Sequence, residues 1–474
     1  MDLLETRKHR SRFEQLERSL LEPQANRSFS TAQLNQLRYV LNFAKLTVVR
    51  AESDSQDVAV AERIGPHSWK VASLVEARIG RSHVDAKGLV QALPELLEDT
   101  RVCREKLATS TALERSDFDR EIGHRKLVLS LGGGGGCGYG YGGIFTLLDR
   151  YQLNPSLICG TSIGALLGLY RARRSRHDAA AMLEASKTLA WNKVFAIGNE
   201  PSRYGLPATL RLHLRRAIGQ FFTSEDGHTM TLAELPVPMH IVVTGLKVGA
   251  LKHELDYYEH FLDGDGLKAG LLNRSKRVFK LKNIAGVMKE FASQPDLLQE
   301  VVFGRDPLTM ASDCIDAAGF SSASPGLIHY DIHRKDKRMH ALLAEIYAEY
   351  GITRMIEGGI VNNVPAKVGF SSAMEGRLAG HRNVHVVAVD CFAPRIRSHY
   401  LWPIQQVVRG NVKQNKPYAD LWISLSKTLN PLNLVPSSRQ TSEAGRWAMA
   451  DLGEHIPFLE ALFQPILPLE ESGG

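Results

Sequence analysis

Apolar and polar residues follow two different patterns along this chain, and the change between them falls near residue 124. From Lys126 onward, short apolar runs alternate with longer stretches in which apolar residues recur at helical spacing. Such alternation predicts an α/β domain with a largely parallel central sheet, because parallel strands need crossover helices. The predicted strands are Leu127–Leu131, Ser156–Cys159, Met239–Thr244, Thr353–Ile356 and Val384–Val389.

The preceding part of the chain predicts helices. Ser30 and Gln33 have the spacing of a capping box, and Phe29 with Leu34 has the spacing of a hydrophobic staple. Behind this start, apolar residues recur at helical spacing at Leu34, Leu37, Leu41, Ala44 and Val48. A second helix is predicted near Val90–Leu107. The region carries no catalytic signature, so its role is open: a cap, a docking surface or an oligomerisation element.

These patterns divide the chain into three segments. Residues 1–123 are interpreted as a helical accessory region, and residues 124–430 as the α/β domain. Within that domain, a stretch at about 251–307 is rich in Lys and Arg and is interpreted as a basic insertion. Residues 431–474 predict a helical tail that packs on the core.

The composition is that of an ordinary globular protein: 474 residues, 44% hydrophobic and 23% charged. The charged N-terminus has no apolar signal core behind it, and no later stretch is long enough to span a bilayer. We therefore expect a cytoplasmic location. The five cysteines are scattered without C-x-x-C spacing, so we expect no disulfide framework, no metal and no cofactor.

The formal net charge of +7 favours anionic partners. No nucleic-acid-binding module is present, so nucleic acid is not expected, and peripheral binding to an anionic membrane fits better. One segment combines an apolar helical stripe with adjacent lysines, as membrane-surface helices do. Its residues are Leu281, Ile284, Met288 and Phe291 in the stripe, with Lys280, Lys282 and Lys289 alongside. The same pattern is typical of a surface helix packed on a protein core.

The strongest chemical signal follows the first two predicted strands. The first strand runs into five consecutive glycines, Gly132–Gly136, and exposed backbone N–H groups in such a loop can bind an anion. The second leads into Gly160–Gly164, a G-x-S-x-G motif between a strand and a helix. In that context Ser162 sits on a sharp turn that exposes its hydroxyl. The alternative is a turn in which the serine only caps the helix.

A dinucleotide site is the competing interpretation of the glycines, because Gly138–Gly143 formally matches G-x-G-x-x-G. That site needs an acidic residue at the end of the next strand, where this chain has Cys159-Gly160. A P-loop is excluded because no G-K-[ST] follows. The predicted function of the loop is an oxyanion hole, with amides from Gly133, Gly134, Gly135, Gly136 and Ile163.

The motifs resemble those of the patatin-like phospholipases, lipid acyl hydrolases that use a Ser-Asp dyad without histidine. Gly133–Gly138 is similar to the family's G-G-G-x-[RK]-G segment, and Gly160–Ala165 matches its G-T-S-x-G-A motif. Ala311–Pro325 resembles its alanine- and serine-rich helix, and Glu357–Pro365 is similar to D-G-G-x-x-x-N-x-P. The resemblance covers about residues 126–395 and implies a three-layer α/β fold.

The resemblance also implies Ser162 as the nucleophile and Glu357 as its acidic partner. Two positions depart from the family pattern: Cys137 replaces Arg or Lys, and Glu357 replaces aspartate. Because glutamate is one methylene longer, its carboxylate must be set back or its side chain folded to hydrogen-bond the serine. Asp390, at the end of the fifth predicted strand, is the backup acid and is equally typical of a turn cap.

A histidine base is a further alternative. His381, His385 and His399 follow the serine and the acid in the chain order of an α/β-hydrolase triad, although none lies in a catalytic-loop pattern. The sequence predicts a serine lipid acyl hydrolase of phospholipase A or lysophospholipase type that acts through an acyl-enzyme on phospholipids or other acyl esters. Two other functions stay open: a catalytically impaired lipid- or partner-binding protein, and a carboxylesterase for small esters.

Overall fold

The computed structural model of the chain describes residues 2–80, 83–197, 202–224, 227–251, 286, 290–291, 293–393 and 402–469. These residues form two compact units. The helical unit comprises Met1–Leu127, Phe370–His385 and Glu454–Gly474. The sheet unit comprises Val128–Gly369 and Val386–Gly453.

The secondary-structure elements are numbered in chain order. The α-helices are α1 Leu3–Leu21, α2 Pro23–Asn26, α3 Thr31–Ala44, α4 Ala61–Glu76, α5 Ala86–Ser110, α6 Arg115–Gly123, α7 Tyr141–Arg150, α8 Ile163–Ala172, α9 Ala179–Thr188, α10 Trp191–Val194, α11 Leu214–Ile218, α12 Pro307–Met310, α13 Cys314–Ser321, α14 Lys337–Tyr350, α15 Ala366–Met374, α16 Trp402–Asn415, α17 Ser438–Gly453 and α18 Ile456–Phe463. The strands are β1 Val48–Arg50, β2 Asp57–Ala59, β3 Lys126–Leu131, β4 Pro155–Thr161, β5 Phe195–Ile197, β6 Ala208–Leu212, β7 Met239–Lys247, β8 Leu298–Phe303, β9 Gly326–His329, β10 Ile352–Glu357, β11 Val384–Asp390 and β12 Leu421–Ser424.

The sheet unit is built on a seven-stranded, mostly parallel sheet of order β10-β7-β4-β3-β11-β12, with β8 also paired to β7. Strand β7 runs parallel to β4 and antiparallel to both β8 and β10. All five predicted strands are confirmed, as β3, β4, β7, β10 and β11. Their nearly continuous burial explains the unbroken apolar runs, because parallel strands are covered on both faces. The predicted α/β class with a helical N-terminal region is confirmed.

The helical unit packs α1, α3, α4 and α5 around one apolar core that includes Phe13, Leu37, Val71 and Leu96. The predicted capping box is confirmed: the Gln33 N–H donates to Ser30 Oγ at 3.2 Å, and the Ser30 N–H donates to Gln33 Oε1 at 3.0 Å. The helix ends at Ala44, so the extension of its apolar pattern to Val48 is wrong. Val48 begins β1, whose backbone is paired with β2.

The predicted basic insertion lies largely outside the described residues. Lys280, Lys282 and Lys289, with most of the predicted membrane stripe, are among the residues that the structure does not describe. Phe291 of that stripe is described and is buried. The end of the predicted insertion contains β8, which is part of the central sheet. Among the described helices, none combines the length and apolar character that a bilayer crossing requires.

Candidate active site

Two strands of the central sheet end at neighbouring positions of β7. Thr161, the last residue of β4, is paired with Val242, and Glu357, the last residue of β10, is paired with Val243. Because β4 is parallel to β7 while β10 is antiparallel to it, the two strands reach this point from opposite directions. Ser162 follows Thr161 directly, so sheet register alone brings Ser162 and Glu357 together.

Ser162 occupies a strained turn between β4 and α8, with φ 53° and ψ −121°. Neighbouring glycines make the turn possible: a Cβ at Gly164 would lie 2.3 Å from the Leu131 carbonyl oxygen, and one at Gly160 would lie 2.6 Å from the Gly164 oxygen. The Ser162 N–H donates to Ser321 Oγ at 2.9 Å. Its hydroxyl makes no cap hydrogen bond to α8, so the capping interpretation of this serine is wrong.

The carboxylate of Glu357 lies beside the side chains of Ser324 and Ser162, which act on its pKa as hydrogen-bond donors. The backbone of Glu357 is held on both sides: its N–H donates to the Ala323 oxygen at 2.9 Å, and its carbonyl accepts from Thr244 Oγ1 at 2.7 Å. Desolvation raises the pKa of Glu357 above its ordinary value. The Ser324 and Ser162 side chains lower the pKa, but their effect is smaller than that of desolvation. A carboxylate with a raised pKa is a stronger base.

The glycine loop lies beside Ser162, and its amides differ in availability. A Cβ at Gly133 would lie 3.2 Å from Ser162 Cβ. The Gly133 N–H donates to the Asn363 oxygen at 3.0 Å, and the Gly136 N–H donates to the Pro431 oxygen at 2.8 Å. Those two predicted oxyanion donors are therefore occupied by the protein itself. Among the described residues, no hydrogen-bond partner is recorded for the amides of the other three, Gly134, Gly135 and Ile163.

Gly135 has a specific backbone requirement. Its φ is +54°, in the left-handed region that favours glycine. A Cβ there would lie 2.4 Å from the Pro431 carbonyl oxygen, so the loop also needs glycine for space. The loop is thereby pressed against the segment that precedes α17, and its open amides are held in place by contacts more than 290 residues away in sequence.

Three further residues, which the sequence analysis did not identify, position the groups of this site. Ser321 bridges the Ser162 N–H and the Val242 oxygen, to which its hydroxyl donates at 2.6 Å. Ser324 lies beside the Glu357 carboxylate and lowers its pKa. Asn363 donates from Nδ2 to the Gly133 oxygen at 3.4 Å and accepts from the Gly133 N–H through its backbone. All three residues lie in the Ala311–Pro325 and Glu357–Pro365 segments, but the spacing of those segments does not indicate these contacts.

Asp390 is buried and serves as a turn cap in the described residues. Its carboxylate accepts the Phe392 N–H at 2.9 Å, and no hydrogen bond to Ser162 is recorded. Desolvation raises the pKa of Asp390 to about 6, despite the Phe392 hydrogen bond. The structure therefore places the backup acid at the end of β11 without a contact to the nucleophile.

The histidine alternatives lie elsewhere. His381 and His385 belong to the helical unit, where His381 lies 3.5 Å from Glu121 and His385 packs on Phe458 and Phe463. His399 lies outside the described residues. Among the residues that are described, no group of three or more His, Cys, Asp or Glu side chains is arranged to hold a metal ion.

Cys137, at the position where the resemblance predicts a cation, is fully buried. Its thiol donates to the Leu429 carbonyl oxygen at 3.3 Å. Burial raises the pKa of the Cys137 thiol to about 11, so the side chain is neutral near pH 7. No charge is therefore present at this position of the glycine loop.

An apolar cavity of about 310 Å³ contains the nucleophile in its wall. Gly135, Ser162 and Ile163 line one part of it. Apolar side chains of α8, α9 and α11 line much of the rest, among them Leu166 and Leu214. A volume of this size lies at the lower end of the range for small-molecule sites, about 300–1,000 Å³. The lining is suited to a hydrocarbon chain whose reacting end lies at Ser162.

Comparison with known proteins gives one family assignment. A family model described as patatin-like phospholipase matches residues 129–369, slightly more than half of the chain. The matched range contains Ser162, Glu357 and the glycine loop, whereas Asp390 lies beyond it. No match was found among curated proteins.

Proposed function

The chain belongs to the patatin-like phospholipase family, and on this basis we propose that it is a serine lipid acyl hydrolase with Ser162 as nucleophile and Glu357 as base. The observation that carries the proposal is that Ser162, in the wall of an apolar cavity, lies beside the Glu357 carboxylate because β4 and β10 end at neighbouring positions of β7. The family match supports hydrolysis of lipid esters. The assignment of the two residues is our inference from the geometry.

The proposed reaction has two steps. Glu357 accepts the hydroxyl proton of Ser162 while Ser162 Oγ attacks the ester carbonyl carbon. The tetrahedral intermediate then collapses to an acyl-serine, and Glu357 passes that proton to the departing alkoxide, which leaves as the alcohol. The restored carboxylate deprotonates a water that attacks the acyl-serine, and the proton returns to Ser162 Oγ as the fatty acid is released. General-base assistance of this kind contributes about 10²–10⁴-fold to the rate.

The proposed oxyanion donors are the amides of Gly134, Gly135 and Ile163. These N–H groups have no recorded partner among the described residues, and Gly135 and Ile163 line the same cavity as Ser162. Ile163 is the first residue of α8, so the positive end of that helix dipole adds to the stabilisation. Removing one such donor typically costs about 10²–10³ in kcat.

The expected substrates are phospholipids, lysophospholipids or other esters with an acyl chain that enters the cavity. Apolar burial favours each methylene by about 0.8 kcal/mol, so a lined cavity selects longer chains over acetyl esters. A cytoplasmic location and peripheral binding to anionic membranes complete the proposal, supported by the net charge of +7. A protein partner for residues 1–123 is not specified.

Labelling with a fluorescent fluorophosphonate tests the proposal directly, because the probe reacts only with an activated serine. We expect wild type to be labelled and Ser162→Ala to be unlabelled. Glu357→Ala should label far more slowly, and Glu357→Asp should recover part of the rate. Glu345→Gln, an exposed glutamate on α14, is the matched control and should label like wild type.

The rival functions predict different outcomes. No labelling of folded wild type, with or without phospholipid vesicles, would overturn the hydrolase proposal in favour of a lipid- or partner-binding protein. Labelled protein that hydrolyses p-nitrophenyl acetate faster than the decanoate would indicate a small-ester carboxylesterase. Labelling that persists in Glu357→Ala at the wild-type rate would remove Glu357 from the mechanism.

A further inference from the structure

The cavity at Ser162 has a permanent charge in its wall. Among the described residues that line it, Arg446 of α17 is the only acidic or basic side chain other than a histidine. That histidine, His177, has its pKa lowered by desolvation to about 4 and is neutral near pH 7. The described lining, which is apolar apart from a few hydroxyl groups, therefore carries one positive charge.

Arg446 is available to a ligand. Its side chain is exposed, whereas Ser162 is only 7% exposed. Among the described residues, no ion pair, hydrogen bond or ring contact is recorded for Arg446. Most arginines of the sheet unit differ in this respect; Arg334, for example, bonds Asp316 at 2.6 Å.

Ser442 adds a hydroxyl to the same face. It lies one helical turn before Arg446 on α17 and also lines the cavity. No hydrogen bond of the Ser442 hydroxyl is recorded in the described part of the chain. The neighbouring hydroxyls of Thr441 and Ser186 instead donate to carbonyl oxygens within their own helices. Arg446 and Ser442 thus present free donors together.

The position of α17 follows from its packing on the glycine loop and on α7. A Cβ at Gly143 would lie 2.0 Å from the Gly445 carbonyl oxygen, so the helices cross at close range. Arg446 is the next residue after this crossing. The same glycine loop contains Cys137, whose buried neutral thiol stands where the family resemblance predicts a cation. Arg446 brings a cation to the cavity from a different element.

We propose that Arg446 and Ser442 form an anion subsite that binds the phosphate of a lipid headgroup while the acyl chain lies in the cavity. This inference rests on the proposed function and adds a specificity-determining residue to it. A guanidinium fits a phosphate with two parallel, charge-assisted hydrogen bonds, which are stronger than hydrogen bonds between neutral groups. The subsite selects phosphate-bearing acyl esters over neutral glycerides.

Binding to a catalytically inert protein tests this without relying on turnover. Ser162→Ala and Ser162→Ala/Arg446→Ala are titrated calorimetrically with dodecylphosphocholine and with 1-O-dodecylglycerol, both below their critical micelle concentrations. The probes share a dodecyl chain, and the first carries a phosphocholine headgroup where the second carries an uncharged glycerol. We expect Arg446→Ala to weaken dodecylphosphocholine binding by about 10- to 100-fold, the range for a hydrogen-bonded charge, and to change 1-O-dodecylglycerol binding less than about 3-fold.

Two further variants control for charge and for folding. Arg439→Ala removes an exposed arginine of the same helix that does not line the cavity, and it should leave both affinities unchanged. Arg446→Lys retains charge without the planar fork and should recover only part of the lost affinity. If Arg446→Ala lowers the affinity for both probes equally, Arg446 contributes only packing to the cavity. If it lowers neither affinity, Arg446 is not part of the binding site.

A competition arm distinguishes the lipid headgroup from free phosphate. Inorganic phosphate at 1 mM should leave dodecylphosphocholine binding unchanged, because the apolar chain supplies much of the affinity. Displacement by 1 mM phosphate in Ser162→Ala, absent in the Arg446→Ala double variant, would identify free phosphate as the ligand and overturn the headgroup assignment. The two proposals can fail separately. If Arg446→Ala weakens only dodecylphosphocholine binding but wild type is not labelled by fluorophosphonate, the anion subsite is supported and the hydrolase proposal is refuted.

Discussion

The extra methylene of glutamate at position 357 is accommodated by the way its strand ends. Glu357 is the last residue of β10, and the chain turns away directly after it at Gly358, where a Cβ would lie 2.1 Å from the Val242 oxygen. Its backbone is fixed by Ala323 and Thr244. The backbone therefore holds Glu357 in a fixed position with its side chain beside Ser162. This is where the proposed general base has to lie.

The raised pKa of Glu357 gives the activity a definite pH dependence. Only the ionised carboxylate accepts the serine proton, so kcat/KM for an uncharged ester should rise with pH and level off above a midpoint higher than the ordinary glutamate value of 4.5. Glu357→Gln should lower kcat/KM by about 10²–10⁴-fold and abolish that acid limb. Initial rates with p-nitrophenyl decanoate between pH 4 and 8 measure both. An unchanged acid limb in Glu357→Gln would assign it to another group.

Asp390 should affect stability instead of chemistry. Its pKa is about 6 in the folded chain against 3.8 ordinarily, so between these values the folded state holds a proton that the unfolded state has lost. Stability contributed by this proton is present below pH 3.8 and is lost as the pH rises to 6. Each unit corresponds to about 1.4 kcal/mol, which gives on the order of 3 kcal/mol.

The matching variant is Asp390→Asn, which keeps an acceptor for the Phe392 N–H but has no charge to bury. Its free energy of unfolding relative to wild type should increase by about 3 kcal/mol between pH 3.5 and pH 7. Urea titrations at the two pH values measure this difference. Fluorophosphonate labelling should persist in the variant, and its loss would restore Asp390 as a candidate acid.

Secondary-structure elements were predictable where burial is two-sided. Central strands such as β3 and β11 carry unbroken apolar runs because helices and neighbouring strands leave them little polar surface. Strand β8 escaped prediction because it pairs only with β7 and begins Leu298-Gln299-Glu300, a half-polar start. The short strands β5, β6 and β9 form a separate three-stranded sheet, and its β6–β9 pairing joins residues over 110 positions apart. Local periodicity carries no information on such pairing.

The same limit applies to the site. The two motifs around Ser162 and Glu357 were readable because each is local in sequence. The hydrogen bonds of the Gly133 and Gly136 amides could not be predicted, because their acceptors, Asn363 and Pro431, lie in distant segments of the chain. Spacing within the glycine run could therefore indicate an anion-binding loop, but not which of its amides stay free.

Helix α8 gives the cavity a length that can be tested. Ser162, Leu166 and Tyr170 lie at successive helical turns and all line the cavity. From Ser162 to Tyr170 the helix rises by about 12 Å at 1.5 Å per residue. Tyr170 is packed edge-on against Phe221, with ring centroids 5.6 Å apart, and this aromatic pair limits the space for an acyl chain at that distance.

Removing the Tyr170 ring should change the preference for the length of the acyl chain. We expect Tyr170→Ala to raise the ratio of kcat/KM for p-nitrophenyl palmitate over the octanoate by about 10-fold, because one methylene in a hydrophobic pocket already shifts specificity by that order. Tyr151→Ala, which removes a partly exposed tyrosine outside the cavity, is the matched control. A ratio that stays at the wild-type value would show that the chain does not reach Tyr170.

On the scale of the whole molecule, net charge is a weak guide to partners because many basic residues are used internally. Arg215, Arg334 and Arg338 contribute to the positive net charge, yet each pairs with Asp313 in the sheet unit. Arg215 and Asp313 are nearly 100 residues apart, so no local pattern of residues indicates the pairing. For Arg446, in contrast, no partner is recorded among the described residues.

The helical unit contains its own buried ion network, centred on Glu17. Its carboxylate, 1% exposed, binds Arg125 at 2.7 Å and Arg38 at 3.0 Å. Burial opposes ionisation of Glu17, but the two guanidinium groups outweigh it and hold the pKa far below its ordinary value of 4.5. The resulting stability is present above pH 4.5 and is lost as the pH falls toward the folded-state pKa.

Glu17→Gln should therefore destabilise the helical unit strongly at neutral pH, since it leaves two buried guanidinium groups without a countercharge. The expected loss is about 3–5 kcal/mol, the usual cost of breaking a buried ion pair by removing one partner. Calorimetry of the full chain at pH 7 and pH 4 measures it, with Glu22→Gln, an exposed glutamate next to the end of α1, as control. Because the variant cannot take up a proton at position 17, its acid sensitivity should be weaker than that of wild type. A loss below about 1 kcal/mol would place this network among the ion pairs whose desolvation cost cancels their attraction.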